Sequence, residues 1–349
     1  MSSSNSPVAD SEGSRDAKKS PDKLWWLKYL RWALFANVLT FVIWQGMKLA
    51  KEVDWSEQKL DYFWLFLAAA TYLVGWLPCV WFWRMLMAHQ GTVVSWPVAI
   101  RAHYCGQWGK YVPGKAAVLI IRGSMVHGAG VHLLVGILTA GYESLATIAV
   151  GGAVAAALFP WVVPKEHYAK WGLQLLSPDQ WGFAMPWLVC IVGALSFSGM
   201  SRLIQLVLKK TVNKAVRASQ GVESAEGAIV ANVHPPWWSI FVLILPWWLH
   251  GLSLGCTIHA LGITDLHWTH LPRWTAAASL GTVAGFVVLF SPGGLGVREG
   301  MLMLTLEPVL GARAAVVPVL LRIVWFVSEV VAAVGCYWLL PSAKRSDKK

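Results

Sequence analysis

The sequence predicts an all-α integral membrane protein with about six full transmembrane helices and two re-entrant helical hairpins. Three observations carry this. Charged residues make up 13% of the 349 positions and hydrophobic residues 56%, whereas a soluble domain has about 25% charged residues. Mean hydropathy is +0.52, and the apolar residues fall in runs about as long as the 20 or so residues that cross a bilayer core. There are 23 tryptophans, several at run ends: Trp25, Trp26, Trp81, Trp83, Trp237, Trp238, Trp268 and Trp274. An indole with an apolar face and one N–H donor favours the headgroup region. Trp247 and Trp248 lie deeper, so the belt is a tendency. A soluble chain of this length would read as two domains, but in a bilayer it makes one bundle.

Residues 1–23 are rich in Ser, Asp and Lys and read as a disordered cytoplasmic tail, without the apolar core of a cleavable signal peptide. Residues 24–341 read as the membrane domain, with 24–182 and 183–341 as its two halves, and 342–349 as a basic cytoplasmic tail. Six spans are clear: Leu27–Met47, Tyr62–Met87, Val131–Phe159, Phe183–Leu208, Trp237–Leu261 and Ala312–Leu340. Two further apolar regions are interrupted. Trp96–Val126 breaks at Pro113-Gly114, and Trp274–Leu306 breaks at Ser291-Pro292-Gly293-Gly294. Proline removes a backbone donor and glycine loosens a helix. Such backbone survives at membrane depth only where protein or a wet cavity satisfies it. The short arms on either side of each break predict re-entrant hairpins; two short spans or one kinked span are the alternatives.

Basic residues set the topology. Arg15, Lys18, Lys19, Lys23, Lys28 and Arg31 precede or open the first span. Lys209, Lys210, Lys214 and Arg217 follow the fourth, and Lys344, Arg345, Lys348 and Lys349 close the chain. Six spans with two hairpins that return to their own side put all three groups, and both termini, in the cytoplasm. The net charge of +11 therefore reads as topology rather than nucleic-acid binding. The first hairpin then enters from the cytoplasm and the second from outside. Glu143 lies 30 residues after Pro113, and Arg322 lies 30 after Pro292. That is the pattern of an inverted repeat, with chance spacing as the competing account. Five isolated cysteines with no CxxC spacing read as free thiols.

Both breaks carry cations. Gly109-Lys110-Tyr111-Val112-Pro113-Gly114-Lys115 is followed by Arg122, and Gly293-Gly294-Leu295-Gly296-Val297 leads into Arg298-Glu299. A helix starting after a break exposes amide N–H groups and the positive end of its dipole. With Lys115, Arg122 and Arg298 it would suit a phosphate-bearing headgroup. The competing account makes the glycines close-packing residues and Arg298 a partner of Glu299 or Glu143. Glu143, Glu299, Arg322 and Glu329 lie in or beside spans, where a charge costs on the order of 3 kcal/mol unless partnered. They read as a gate or proton relay, or equally as static pairs. His259, Asp265, His267 and His270 gather near an external loop, where interfacial histidines are the better reading than a metal site. The second glycine run lacks the Lys-Ser or Lys-Thr ending of a nucleotide loop. No nucleophile motif or carboxylate pair stands out, and neither a cofactor nor a metal is expected.

The segments Gly109–Lys115 with Arg122, and Pro292–Glu299, resemble the two signatures of the lysylphosphatidylglycerol synthase transmembrane-region family, a flippase-like family. The resemblance runs from the first span to Leu340. It implies lipid translocation between leaflets and carries over Pro113, Gly114, Lys115 and Arg122, then Pro292, Gly293, Gly294, Gly296, Arg298 and Glu299, with Glu143 matching less securely. Family members that fuse this region to an aminoacyl-transferase domain modify the lipid. A chain closing at Lys349 is expected to be a stand-alone member that is not itself an enzyme. Its expected partners are membrane lipids and a lipid-synthesis enzyme, with no nucleic acid. The expected location is a bacterial inner membrane. The alternative is a membrane-embedded enzyme, or an accessory subunit, of lipid or glycolipid synthesis.

Overall fold

The computed structural model describes residues 60–111, 116–162, 238–263, 267–288 and 294–343, with positions 40 and 236 in isolation. All secondary structure among them is helical. The expected spans Leu27–Met47 and Phe183–Leu208, and the break residues Pro113, Gly114, Lys115, Pro292 and Gly293, lie outside the described residues.

In chain order the main helices are α1 (Tyr62–Gly75), α2 (Leu77–His89), α3 (Trp96–Gly106), α4 (Ala116–His127), α5 (Leu133–Ala157) and the short α6 (Phe159–Val162). After the segment outside the description come the short α7 (Ser239–Val242), then α8 (Leu245–Ala260), α9 (Leu271–Val287), α10 (Val297–Leu310) and α11 (Val316–Leu339). One-turn 3₁₀ segments follow α3 (Gln107–Tyr111), precede α9 (Trp268–His270) and join α10 to α11 (Gly311–Ala315).

Four helical segments among the described residues are long and apolar enough to cross a membrane: Tyr62–His89, Leu133–Ala157, Ser239–Ala260 and Val297–Leu339. The first three lie within a few residues of the expected spans. α1 and α2 run on through Trp76, with Pro78 early in α2 where its missing donor does no harm. α1 starts at Asp61, whose side chain accepts from the Phe63 amide at 2.9 Å while its own amide donates to the Ala260 carbonyl at 2.9 Å. The fourth segment divides at Gly311 into α10 and α11. The 24 residues of α11 make about 36 Å at 1.5 Å per residue, enough to span. α3, α4 and α10 have 11, 12 and 14 residues, each short of a full crossing.

The arms pack in pairs, α3 on α4 across the first break and the 17-residue α9 on the shorter α10 across the second. α11 is the common neighbour, touching α1, α3, α8 and α10, while α9 reaches across to α5. Its outward face is apolar, with Val319, Ile323, Val327, Val331 and Val334 exposed, as a lipid-facing stripe requires. The turn into α10 depends on Gly294 and Gly296, at φ +71° and +85°, a region that L side chains rarely adopt. Gly294 also lies on Gly285 of α9, so that backbone meets backbone at the break.

α8 docks on α9 through Gly251 and Gly255, one turn apart. Without lipid-driven hydrophobic association, membrane helices gain contact by letting backbones approach at such small-residue pairs. A methyl group on Gly251 would stand 2.6 Å from Thr275 Cα, and one on Gly255 would stand 2.9 Å from Trp274 Cδ2. Gly251→Ala should therefore lower stability by about 1–3 kcal/mol, the usual cost of overpacking. Gly152→Ala, where no atom lies within 4 Å, should leave stability unchanged or slightly raised. Thermal unfolding in detergent compares them, and equal midpoints would contradict the packing account.

Candidate functional site

Several polar side chains lie near the middle of the long helices. Tyr72, Glu143, His250 and the run Arg322 to Glu329 all sit near the middle of their spanning segments, and Tyr72, Glu143, His250 and Glu329 are buried. A charged group at that depth needs an internal partner, and the structure supplies each one.

In the first half, Arg122 of α4 pairs with Glu143 of α5 at 2.6 Å, and the two side chains are 3% and 2% exposed. Thr147, one turn further along α5, donates to the other Glu143 oxygen at 3.1 Å, and Cys79 lies 3.6 Å from the Thr147 hydroxyl. Trp83 donates to Thr139 at 3.1 Å nearby. Both side chains are buried, with Arg122 Nε left without a hydrogen-bond partner, and the pair joins the second arm of the first broken region to the span that follows it.

The second half repeats the device with the signs exchanged. Glu299, early in α10, accepts from Arg322 of α11 at 3.0 Å. Its other oxygen accepts from the Gly296 amide at 2.7 Å. Sequence reasoning gave the amides of this helix start to a bound anion; the Gly296 amide is instead taken by the helix's own carboxylate, a reach-back favoured by the dipole. The first broken region also reaches this half. Lys110 and Tyr72 both bond to one oxygen of Glu329, and Tyr111 donates to the other at 3.0 Å. Arg322 also stands 5.9 Å from the Tyr111 ring. The residues beside the two breaks thus meet on one face of α11, where Arg322, Trp325 and Glu329 recur at i, i+3 and i+7.

Trp325 organises the centre. It stacks on Tyr72 at 4.2 Å and 14° between planes. Its indole N–H donates to Ser253 of α8 at 2.9 Å, and Ser253 donates to the Ala68 carbonyl at 2.7 Å. The Arg298 guanidinium lies 3.7 Å from the Trp325 ring centre, close enough for a strong cation–π contact. Arg298 pairs with neither Glu299 nor Glu143. It is 9% exposed, and its Nη2 is buried without a hydrogen-bond partner. His250 packs against Tyr72 and Trp325 at 5.1 and 5.3 Å, and neither ring nitrogen has a hydrogen-bond partner.

Of the site residues read from sequence, Arg298, Glu299, Arg322 and Glu329 come together, while Arg122 and Glu143 form a separate pair. Gly294 and Gly296 shape the break into α10. Sequence reasoning passed over Tyr72, Trp325, His250 and Ser253, which look like ordinary residues of apolar runs. The 322/325/329 spacing was a readable signal for Trp325. At the other end of α1, His259 packs at 5.1 and 5.2 Å from Trp64 and Trp268. No group of three or more His, Cys, Asp or Glu able to hold a metal ion occurs among the described residues.

Described residues whose secondary structure is all helical, with four segments long and apolar enough to span and a buried ionic junction between them, make this a polytopic membrane protein. The sequence profile of the lysylphosphatidylglycerol synthase TM region matches residues 30–335, so the chain belongs to that family. No curated protein is similar to it at a significant level, and neither is any solved structure.

Breaking one partner of a buried ion pair costs about 3–5 kcal/mol, whereas replacing both by apolar residues is often neutral. Glu143→Gln, which strands Arg122, should therefore destabilise far more than the double variant Arg122→Met/Glu143→Leu. Unfolding midpoints of the two variants and wild type test this; a double variant as unstable as the single one would contradict a closed, structural pair.

Proposed function

We propose that the protein moves a lipid between bilayer leaflets, with the headgroup held where the two broken regions meet on α11 and the acyl chains left in the bilayer. The observation that carries this reading is Arg298, a buried guanidinium fixed on Trp325 with a donor free for an anion. Lys110 and Arg322 stand in the same junction, and family membership supports a lipid-related role. Arg122, closed off by Glu143, contributes to the frame and not to the headgroup contact. Lys115, beside the first break, remains part of the proposed binding set.

The two short-armed regions are read as re-entrant hairpins, giving six spans with the two outside the description. The halves would rock about the shared site to expose it to each leaflet in turn. The Arg122–Glu143 and Glu299–Arg322 pairs, each tying a hairpin arm to the following span, support two equivalent halves. Energy would come from the lipid gradient or a coupled ion, with Glu329, Glu299 and Arg322 as the gate. The basic segments support cytoplasmic termini in a bacterial inner membrane. A lipid-synthesis enzyme would be the natural source of the cargo.

Reconstitution in liposomes with fluorescent phospholipids, followed by dithionite quenching, tests the reading. Wild type should accelerate leaflet exchange and Arg298→Ala should reduce it at least about tenfold, a loss of roughly 1.4 kcal/mol or more. The exposed Glu307→Gln should exchange lipid as wild type does. Absence of exchange for every lipid would overturn translocation. Recovered lipid with an altered mass would favour the alternative of a membrane enzyme of lipid synthesis.

A further inference from the structure

A serine or threonine inside a helix can satisfy itself by donating to the carbonyl four residues back. Thr71, Thr139, Thr257, Thr305 and Ser328 all do so here. The other buried or half-buried hydroxyls of the described helices have acceptors elsewhere, with three exceptions. Thr275, Ser279 and Thr282 each hold a buried oxygen without a hydrogen-bond partner. All three belong to α9, and their i, i+4, i+7 spacing puts them on one stripe about 10 Å long. Thr275 and Ser279 are both 0% exposed.

The stripe leads from one end of α9 to the arginine. It begins one turn inside the start of the helix, where Thr275 faces Gly251 of α8. It ends beside Gly281 and Gly285, on which the stem of Arg298 lies. A Cβ at these glycines would stand 3.6 Å from Arg298 Cγ and 3.3 Å from its Cβ. Val283 packs on the cluster that contains Tyr142, Ala146 and Val150 of α5 and Trp247 of α8. Ser279 and Thr282 flank Val283 and so border the contact of α9 with α5, where the two halves of the chain meet. The Trp247 indole N–H, in the same cluster, is also buried without a hydrogen-bond partner.

We infer that the border of α9 with α5 is the passage by which a phosphodiester headgroup reaches Arg298, with Thr275, Ser279 and Thr282 as its polar lining. The inference rests on the proposed headgroup position. An interface that stayed closed would gain nothing from three stranded hydroxyls, because each has given up its hydration for no bond. A hydroxyl donates to a phosphate oxygen and accepts from an ammonium, so the lining serves a headgroup with or without an aminoacyl group. Being uncharged and repeated, it holds the headgroup weakly at several points, which lets it move on. α8 and α9, locked together through Gly251 and Gly255, would pass α5 as one wall when the halves rock.

The triple variant Thr275→Val/Ser279→Ala/Thr282→Val removes the lining without touching Arg298. Leaflet exchange of fluorescent phosphatidylglycerol and lysylphosphatidylglycerol is measured in liposomes, and unfolding midpoints in detergent. Whichever lipid wild type moves should be moved at least about tenfold more slowly by the variant. Its midpoint should be unchanged or raised, and Thr305→Val should exchange as wild type does. Exchange at the wild-type rate overturns the passage and leaves translocation standing, and a lowered midpoint makes the hydroxyls structural and overturns it too. If wild type moves neither lipid, translocation fails and accessibility decides the passage. Single cysteines at 279 and 282, with the native cysteines replaced, should react with an anionic, membrane-impermeant methanethiosulfonate at least about tenfold faster than one at the packed Ala277. Equal rates overturn the passage. Phosphatidylglycerol should slow the reaction at 279; slowing by soluble glycerophosphoglycerol and not by the lipid would overturn the lipid headgroup in favour of a free phosphodiester.

Discussion

A carboxylate halfway along a membrane helix must be neutralised or solvated from within, and Glu329 imposes that requirement on everything around it. The hydrocarbon offers it nothing, so its partners come from protein: Lys110 and Tyr111 from just before the first break and Tyr72 from α1. These three contacts fix α3 and α1 against α11. One turn earlier on the same face, Trp325 stacks on Tyr72 and holds Arg298, and a further turn back Arg322 takes Glu299. A single face of α11 thereby gathers residues from beside both breaks. Without that face, the short arms would have apolar packing but nothing to set where they end.

The consequence for function is a division of labour between two ionic centres. Arg122 and Glu143 are sealed and neutral as a pair, which suits a strut inside the first half. The junction on α11 is larger, aromatic and charged, with an arginine left over. A sealed pair holds geometry, whereas in the proposed function the unpaired guanidinium of Arg298 would hold the headgroup. The GxxxG contact of α8 on α9 keeps the wall behind Trp325 rigid, because Ser253, which receives the Trp325 N–H, lies between the two glycines.

Much of this frame could be read from the residues. Long apolar runs with few charges have one physical outcome, so Tyr62–His89, Leu133–Ala157 and Ser239–Ala260 fall close to their expected bounds. Glu299, Arg322 and Glu329 were visible because a charge in an apolar run demands a reason. Their pairing was not visible: sequence offered Arg298 to Glu299, its neighbour, yet adjacent helical residues point in different directions. Tyr72, His250, Trp325 and Ser253 carry no charge and break no pattern. Their role arises only when three helices, α1, α8 and α11, bring them to one point. The sequence marks the helix start after Gly296 as an open anion site, whereas Glu299, three residues on, takes the Gly296 amide itself.

Cross-linking measures the convergence of the first broken region on α11 directly. The Tyr111 and Phe326 rings stand 5.6 Å apart, edge to face. Cysteines at these two positions, in a chain whose native cysteines have been replaced, should be joined by a short bifunctional maleimide in native membranes. Protease cleavage at an engineered site between them would then leave the two fragments linked. Efficient joining is the predicted result. Two cysteines that each react singly but never join would contradict the meeting of the broken region with α11, and with it the shared mid-membrane site.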